Sequence, residues 1–168
     1  MEVRDKAIIL LLARLGLRAG DVAELRISKI DWKDGSFLIS GKSQREDRLP
    51  LPQEVGDAIV TYLEIRPQVG EDKVFLGIQA PLRPFASGST VSQIVKRRTH
   101  LAGVVTPRYG AHVLRHTAAT EMLRQGVPLY EIGQVLRHRS LDMTAYYAKV
   151  DIELLKQVTQ PWPEVLSC

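Results

Sequence analysis

The chain has 168 residues, 45% of them hydrophobic and 25% charged, with a single cysteine, Cys168. A chain of this length buries roughly 70% of its unfolded surface and needs no disulfide or structural metal. Its composition excludes disordered, collagen-like and disulfide-stapled classes. Lys and Arg outnumber Asp and Glu by 23 to 19, and the net charge of +4 leans toward a polyanionic partner. The longest apolar run, Ala7 to Ala13, is too short to span a bilayer, and the opening residues lack the basic n-region of a signal peptide. A cytoplasmic protein with no membrane partner is expected.

Val3, Ala7, Leu10, Leu11 and Arg14 recur at helical spacing, and Gly16 supplies a C-terminal stop. A second short helix is predicted from Gly20 through Leu25, with Asp21 as its cap or first-turn acid. The period then changes. Trp32 to Ser40 reads as two short β segments around Asp34-Gly35, and Arg48 to Leu51 as a third, edge-like strand ending at Pro52. Gln53 to Arg66 is amphipathic and closed by Pro67, while Gly77 to Gly88, with Pro81 and Pro84, is a connector. Further helices are predicted over Ser89–Leu101, Gly110–Gln125 (stopped by Gly126), Leu129–Arg137, Ser140–Tyr147 and Ile152–Val158. The expected fold is mainly α with a small antiparallel β-sheet, organised as one domain over residues 1–168.

Charge placed against this pattern is the informative signal. His112, Arg115 and His116 share one helix face that continues into the core-like Ala119 and Met122. An arginine on such a face needs a partner. Either a phosphate sits at the helix start, held by Arg115 and His112, or Glu121, Glu131 or Asp142 pairs with the arginine internally. The two histidines do not make a zinc site. The catalytic zinc signature places Glu after the first histidine, where this chain has Val113, and no third ligand is evident. Taken singly, Arg18, Lys42, His138 and the pair Tyr146-Tyr147 are ordinary loop, surface or packing residues.

Together they resemble the catalytic domain of the tyrosine recombinases, the phage-integrase and Xer-like family, over about Arg4 to Lys149. Gly16-Leu17-Arg18-Ala19-Gly20-Asp21 is similar to the family's first arginine box, with Asp21 where the family carries an acid, usually Glu. Gly41-Lys42 corresponds to the family's hairpin lysine. His112-Val113-Leu114-Arg115-His116 is similar to the His-x-x-Arg signature. Leu136-Arg137-His138-Arg139-Ser140 matches the next box, with Arg137 where the family commonly has glycine. Tyr147 lies nine residues beyond His138, where the family's nucleophile belongs, and this spacing disfavours Tyr146.

The resemblance implies site-specific cleavage and rejoining of double-stranded DNA through a covalent 3′-phosphotyrosine. Arg18 and Arg115 would clamp the phosphate, Tyr147 attack, Lys42 protonate the 5′-oxygen, and His112 and His138 assist, with Asp21 and His116 in support. No cofactor, metal or small-molecule substrate is implied. Arg83, Lys96, Arg97 and Arg98, in a stretch to His100 without an acid, are candidate DNA-backbone contacts, as are Arg137 and Arg139; for that stretch DNA contact is favoured over the alternative of a solvated helix face. The family also implies a homotetramer on DNA, a bacterial, phage or mobile-element origin, and an N-terminal core-binding domain, expected to be absent here. Competing readings are a catalytically weak DNA-binding fragment, a type IB topoisomerase-like relaxing activity, and a plain helical interaction protein.

Overall fold

The computed structural model describes residues 2–40, 46–106 and 108–138. Packing divides the chain into two compact units, Met1–Ala118 and Ala119–Cys168, where the sequence leads to the expectation of one. The predicted helices over Ser140–Tyr147 and Ile152–Val158 lie outside the described residues.

In the first unit, α1 spans Glu2–Leu15 and ends where Gly16 turns to φ +58°, a conformation that costs glycine little. Ala7, Ile8, Leu11, Leu12 and Leu15 form its buried stripe, which packs on α3 (Gln53–Ile65) through Val55, Ala58, Ile59 and Tyr62. A short α2 (Ala19–Glu24) packs against α4 (Gly88–Leu101), which buries Val91, Ile94 and Val95. Ser87 caps α4, its hydroxyl accepting the Ser89 amide at 3.3 Å.

The sheet is antiparallel in the order β1 (Ile30–Asp31), β2 (Ser36–Ser40), β3 (Glu46–Pro50). Its register pairs Ile30 with Phe37 and Phe37 with Leu49. Asp31 Oδ1 accepts the amides of Lys33 and Asp34 in the turn, and Gly35 takes φ +58° there. Phe37 and Ile39 of β2 enter the core, whereas β3 alternates exposed and half-buried residues, as an edge strand does. The observed β3 starts two residues before the predicted one.

The α1 helix also buries a charged pair. Arg4 donates to Asp5 Oδ1 from Nε at 3.0 Å and Nη2 at 2.7 Å, and from Nη1 to the Leu76 carbonyl at 2.9 Å. Its guanidinium carbon stands 5.4 Å from the Phe85 ring centre. These contacts hold the connector 77–87 onto α1, so this coil segment is ordered without a helix or strand of its own.

Helix α5 (Ala111–Arg124) belongs to both units. Ala111 and Leu114 join the first core, while Ala119, Met122 and Leu123 pack with Ile132 and Leu136 around α6 (Leu129–Val135). That division of one helix between two apolar clusters is the physical source of the second unit. Among the described residues, no helix is long and apolar enough to cross a membrane.

Candidate active site

Arg18 immediately precedes α2 with extended backbone, φ −75° and ψ 147°. Its amide donates to Asp21 Oδ2 at 3.2 Å, and its carbonyl accepts the Val22 amide at 3.1 Å. The acid expected beside the first arginine therefore fastens that arginine's own backbone at the helix start. Arg18 and Asp21 are both half-buried.

Arg115 is buried on α5, and its Nη1 donates to the carbonyl of Gly16, 99 residues away in sequence. The carbonyl is available because α1 has just ended, leaving its last acceptors outside the helix ladder. One guanidinium edge thus seats on the loop that carries Arg18. The sequence contained both arginines but no sign of this seat, because a backbone acceptor leaves no trace in residue type. His112 is exposed one turn before Arg115, and His116 follows it, half-buried. Burial pushes the His116 imidazole below its ordinary 6.5, and the positive neighbours His112, Arg108 and Arg115 push in the same direction. Arg108 was not among the residues singled out from the sequence. The first unit therefore gathers Arg18, Asp21, His112, Arg115 and His116 around the two ends of the Leu15–Ala19 connection and the first turns of α5.

A cleft of about 250 Å³ lies between α2 and β2, lined by Asp21, Glu24, Arg26, Lys29 and Ser40. Lys42, the expected acid, falls between β2 and β3 in the sequence and lies outside the described residues, as do Arg139, Tyr146 and Tyr147.

In the second unit, His138 and Arg137 are half-buried at the end of α6. The Arg137 amide donates to the Gln134 carbonyl and the His138 amide to the Gly133 carbonyl, each at 2.9 Å. This is the paired closure that usually takes glycine at the first position past the cap. Arg137 fills that position at φ +53°, the one non-glycine residue with positive φ among the described residues. The substitution of arginine for glycine thus leaves the turn intact at the cost of backbone strain.

The expected DNA-backbone set divides. Arg83, Lys96 and Arg97 are exposed, and Arg83 and Arg97 border a cavity of about 470 Å³ between the 77–86 connector and α4. Arg98 is a correction: its Nε bonds Asp5 Oδ2 at 2.8 Å and its Nη1 lies 3.5 Å from Glu2 Oε1, so it faces α1. One helical step past Arg97 turns the side chain inward, and a buried carboxylate takes it up. Among the described residues, no three His, Cys, Asp or Glu side chains gather as metal ligands.

The model of the phage integrase family matches residues 1–153. The chain belongs to that family. It is 47% identical over 161 residues to a Sinorhizobium fredii protein named integrase/recombinase y4rA, covering 95% of this chain and 39% of that protein. It is 32% identical over 160 residues to the tyrosine recombinase XerC of Thermodesulfovibrio yellowstonii, covering 92% of this chain and 53% of the relative. A crystal structure of XerA recombinase matches 95% of the chain and 60% of its own, with a TM-score of 0.79 at 25% identity. This phage-integrase chain thus spans about half the length of these curated relatives. Its mainly helical fold with a three-stranded antiparallel sheet is that of the family's catalytic domain.

Proposed function

We propose that this chain cleaves and rejoins double-stranded DNA at specific sites, through a covalent 3′-phosphotyrosine. The observation that carries the reading is the seat of Arg115 on the Gly16 carbonyl, which supports the two arginines serving one phosphate. Arginine suits such a clamp because its planar fork binds phosphate oxygens bidentately and does not lose its charge.

In the proposed reaction the Tyr147 hydroxyl oxygen attacks phosphorus, forming the O–P bond as the P–O5′ bond breaks. Arg18 and Arg115 stabilise the charge on the phosphoryl oxygens, and loss of either raises the barrier by about 3–4 kcal/mol. Lys42 protonates the departing 5′-oxygen, while His112 takes part in moving the tyrosine proton and His138 hydrogen-bonds the phosphate. Asp21 and His116 hold the arginine-bearing backbone and the face of α5. The product keeps a phosphoester, so attack by a 5′-hydroxyl on the phosphotyrosine rejoins the strand without added energy. Arg83, Lys96, Arg97, Arg137 and Arg139 contribute DNA-backbone contacts. The chain works as a homotetramer on DNA, in the cytoplasm of a bacterial host.

A nicked suicide duplex, from which the cleaved 5′ end diffuses away, tests this. Tyr147→Phe should retain DNA binding and form no covalent adduct. Adduct formation by the Phe variant would transfer the nucleophile to Tyr146 or refute the reaction. Light scattering on the DNA complex tests the tetramer.

A further inference from the structure

Where α4 begins, its backbone runs against the backbone of α2. A β-carbon at position 88 would lie 2.6 Å from the Gly20 nitrogen, 2.8 Å from the Ala19 carbonyl carbon and 3.0 Å from Ala19 Cβ. Two of the three atoms are main chain, so no rotamer change makes room; the helix ends would have to part. The peptide touched, Ala19–Gly20, begins one residue after Arg18. That arginine's backbone is then confined from three directions: Arg115 on the Gly16 carbonyl before it, the Asp21 carboxylate on its own amide, and the start of α4 against Ala19–Gly20.

From this geometry we infer that Gly88 is a positioning residue for Arg18: its missing side chain lets α4 brace the first turn of α2 and fix the direction in which Arg18 leaves the backbone. The inference rests on the proposed phosphate role of Arg18. Neighbouring features support a rigid brace. Ser87 caps the same turn of α4, and Val91 and Val95 anchor the helix in the core one and two turns on. Gly56, in the first turn of α3, provides the contrast: a β-carbon there meets Leu51 side-chain atoms at 3.6 and 3.7 Å, ordinary contact distances. The two glycines thus differ in what alanine would displace.

The test uses Gly88→Ala, with Gly56→Ala as control, in the full chain. Hydrogen exchange reads the brace directly through the Arg18 and Val22 amides, and suicide-duplex cleavage reads its consequence. A displacement of about 1 Å at a positioned group costs about 100-fold in rate. Gly88→Ala should therefore speed exchange at those two amides and slow cleavage by about that factor, while Gly56→Ala does neither. Combined with Arg18→Ala, it should leave the residual cleavage unchanged, because the two substitutions remove the same interaction. Ala19→Val crowds the contact from the α2 side and should repeat the pattern if Gly88→Ala does not fold. Unchanged exchange and cleavage would overturn the inference, and so would equal slowing in the Arg18→Ala background. Faster exchange together with normal cleavage by Arg18→Ala itself would uphold the brace and refute the role of Arg18 instead.

Discussion

The guanidinium of Arg115 donates to the carbonyl of Gly16, two residues before Arg18. A side chain from α5 therefore completes the C-terminal end of α1 while remaining next to the loop that holds the other arginine. Both duties require the fork, since an ammonium group cannot present two fixed edges. Arg115→Lys is expected to lower suicide-duplex cleavage by about 10²–10³-fold. Arg115→Met, which leaves the Gly16 carbonyl without this donor, should also cost about 1–3 kcal/mol of stability in urea denaturation. Full activity in Arg115→Lys would show that phosphate is held elsewhere.

Adjacent arginines on α4 should respond in opposite ways. Arg97 is exposed beside the 470 Å³ cavity, whereas Arg98 reaches Asp5 at 2.8 Å, a carboxylate that also receives Arg4. Arg97→Ala should weaken DNA binding uniformly across sequences and reduce the slope of log affinity against log salt by about one. Arg98→Ala should leave that slope alone and destabilise the fold by about 2 kcal/mol, the scale of a hydrogen bond to a charged group. Anisotropy titrations over a salt series, alongside urea denaturation, separate the two.

These two residues also mark how far the sequence could be read. Periodicity located every α-helix among the described residues to within a residue or two, because each buries a stripe that repeats along its own length, whereas the single 3-10 turn Ile27–Lys29 is too short to carry one. The turn at Asp34-Gly35 and the stop at Gly16 were legible for a local reason, glycine at positive φ. The motif boxes single out Arg18, His112, Arg115 and His138 as candidates, and Arg18, His112 and Arg115 fall in the same compact unit. Arg98 was misread because its partner lies 93 residues away, and a run of basic residues does not reveal which member turns inward. Gly88 carried no signal, since a glycine at a helix start looks the same whether its neighbour is solvent or backbone. The division of α5 between two apolar clusters was equally hidden, because one amphipathic stripe serves both.

The end of α6 holds a strain that can be relieved. Arg137 takes φ +53° in a closure where the His138 and Arg137 amides cap the helix, and a β-carbon in that region costs about 1–2 kcal/mol. Arg137→Gly should raise stability by about 1 kcal/mol, a shift of roughly 2–4 °C in melting temperature for a chain of this size. Arg137→Ala keeps the β-carbon and should gain nothing. If both variants melt alike, the left-handed backbone is not what limits this helix end.

Acid should weaken the fold through His116. Burial first, then the charges of His112, Arg108 and Arg115, hold its imidazole below 6.5, so the folded state favours the neutral ring. The unfolded chain, with an ordinary imidazole, binds more protons in the interval between the lowered value and 6.5. Where the unfolded state binds more protons, stability rises with pH. The contribution of His116 is thus fully present above about 6.5 and is lost as pH falls toward the lowered folded value. Urea midpoints from about pH 7.5 down to about pH 5.5 should fall less steeply for His116→Gln than for the parent chain. Arg108→Ala should bring the folded titration midpoint of His116, followed by the NMR shift of its ring proton, back toward 6.5. A parent midpoint at 6.5 would remove the effect, and one above 6.5 would mean that the folded state favours the charged ring and that acid strengthens this region.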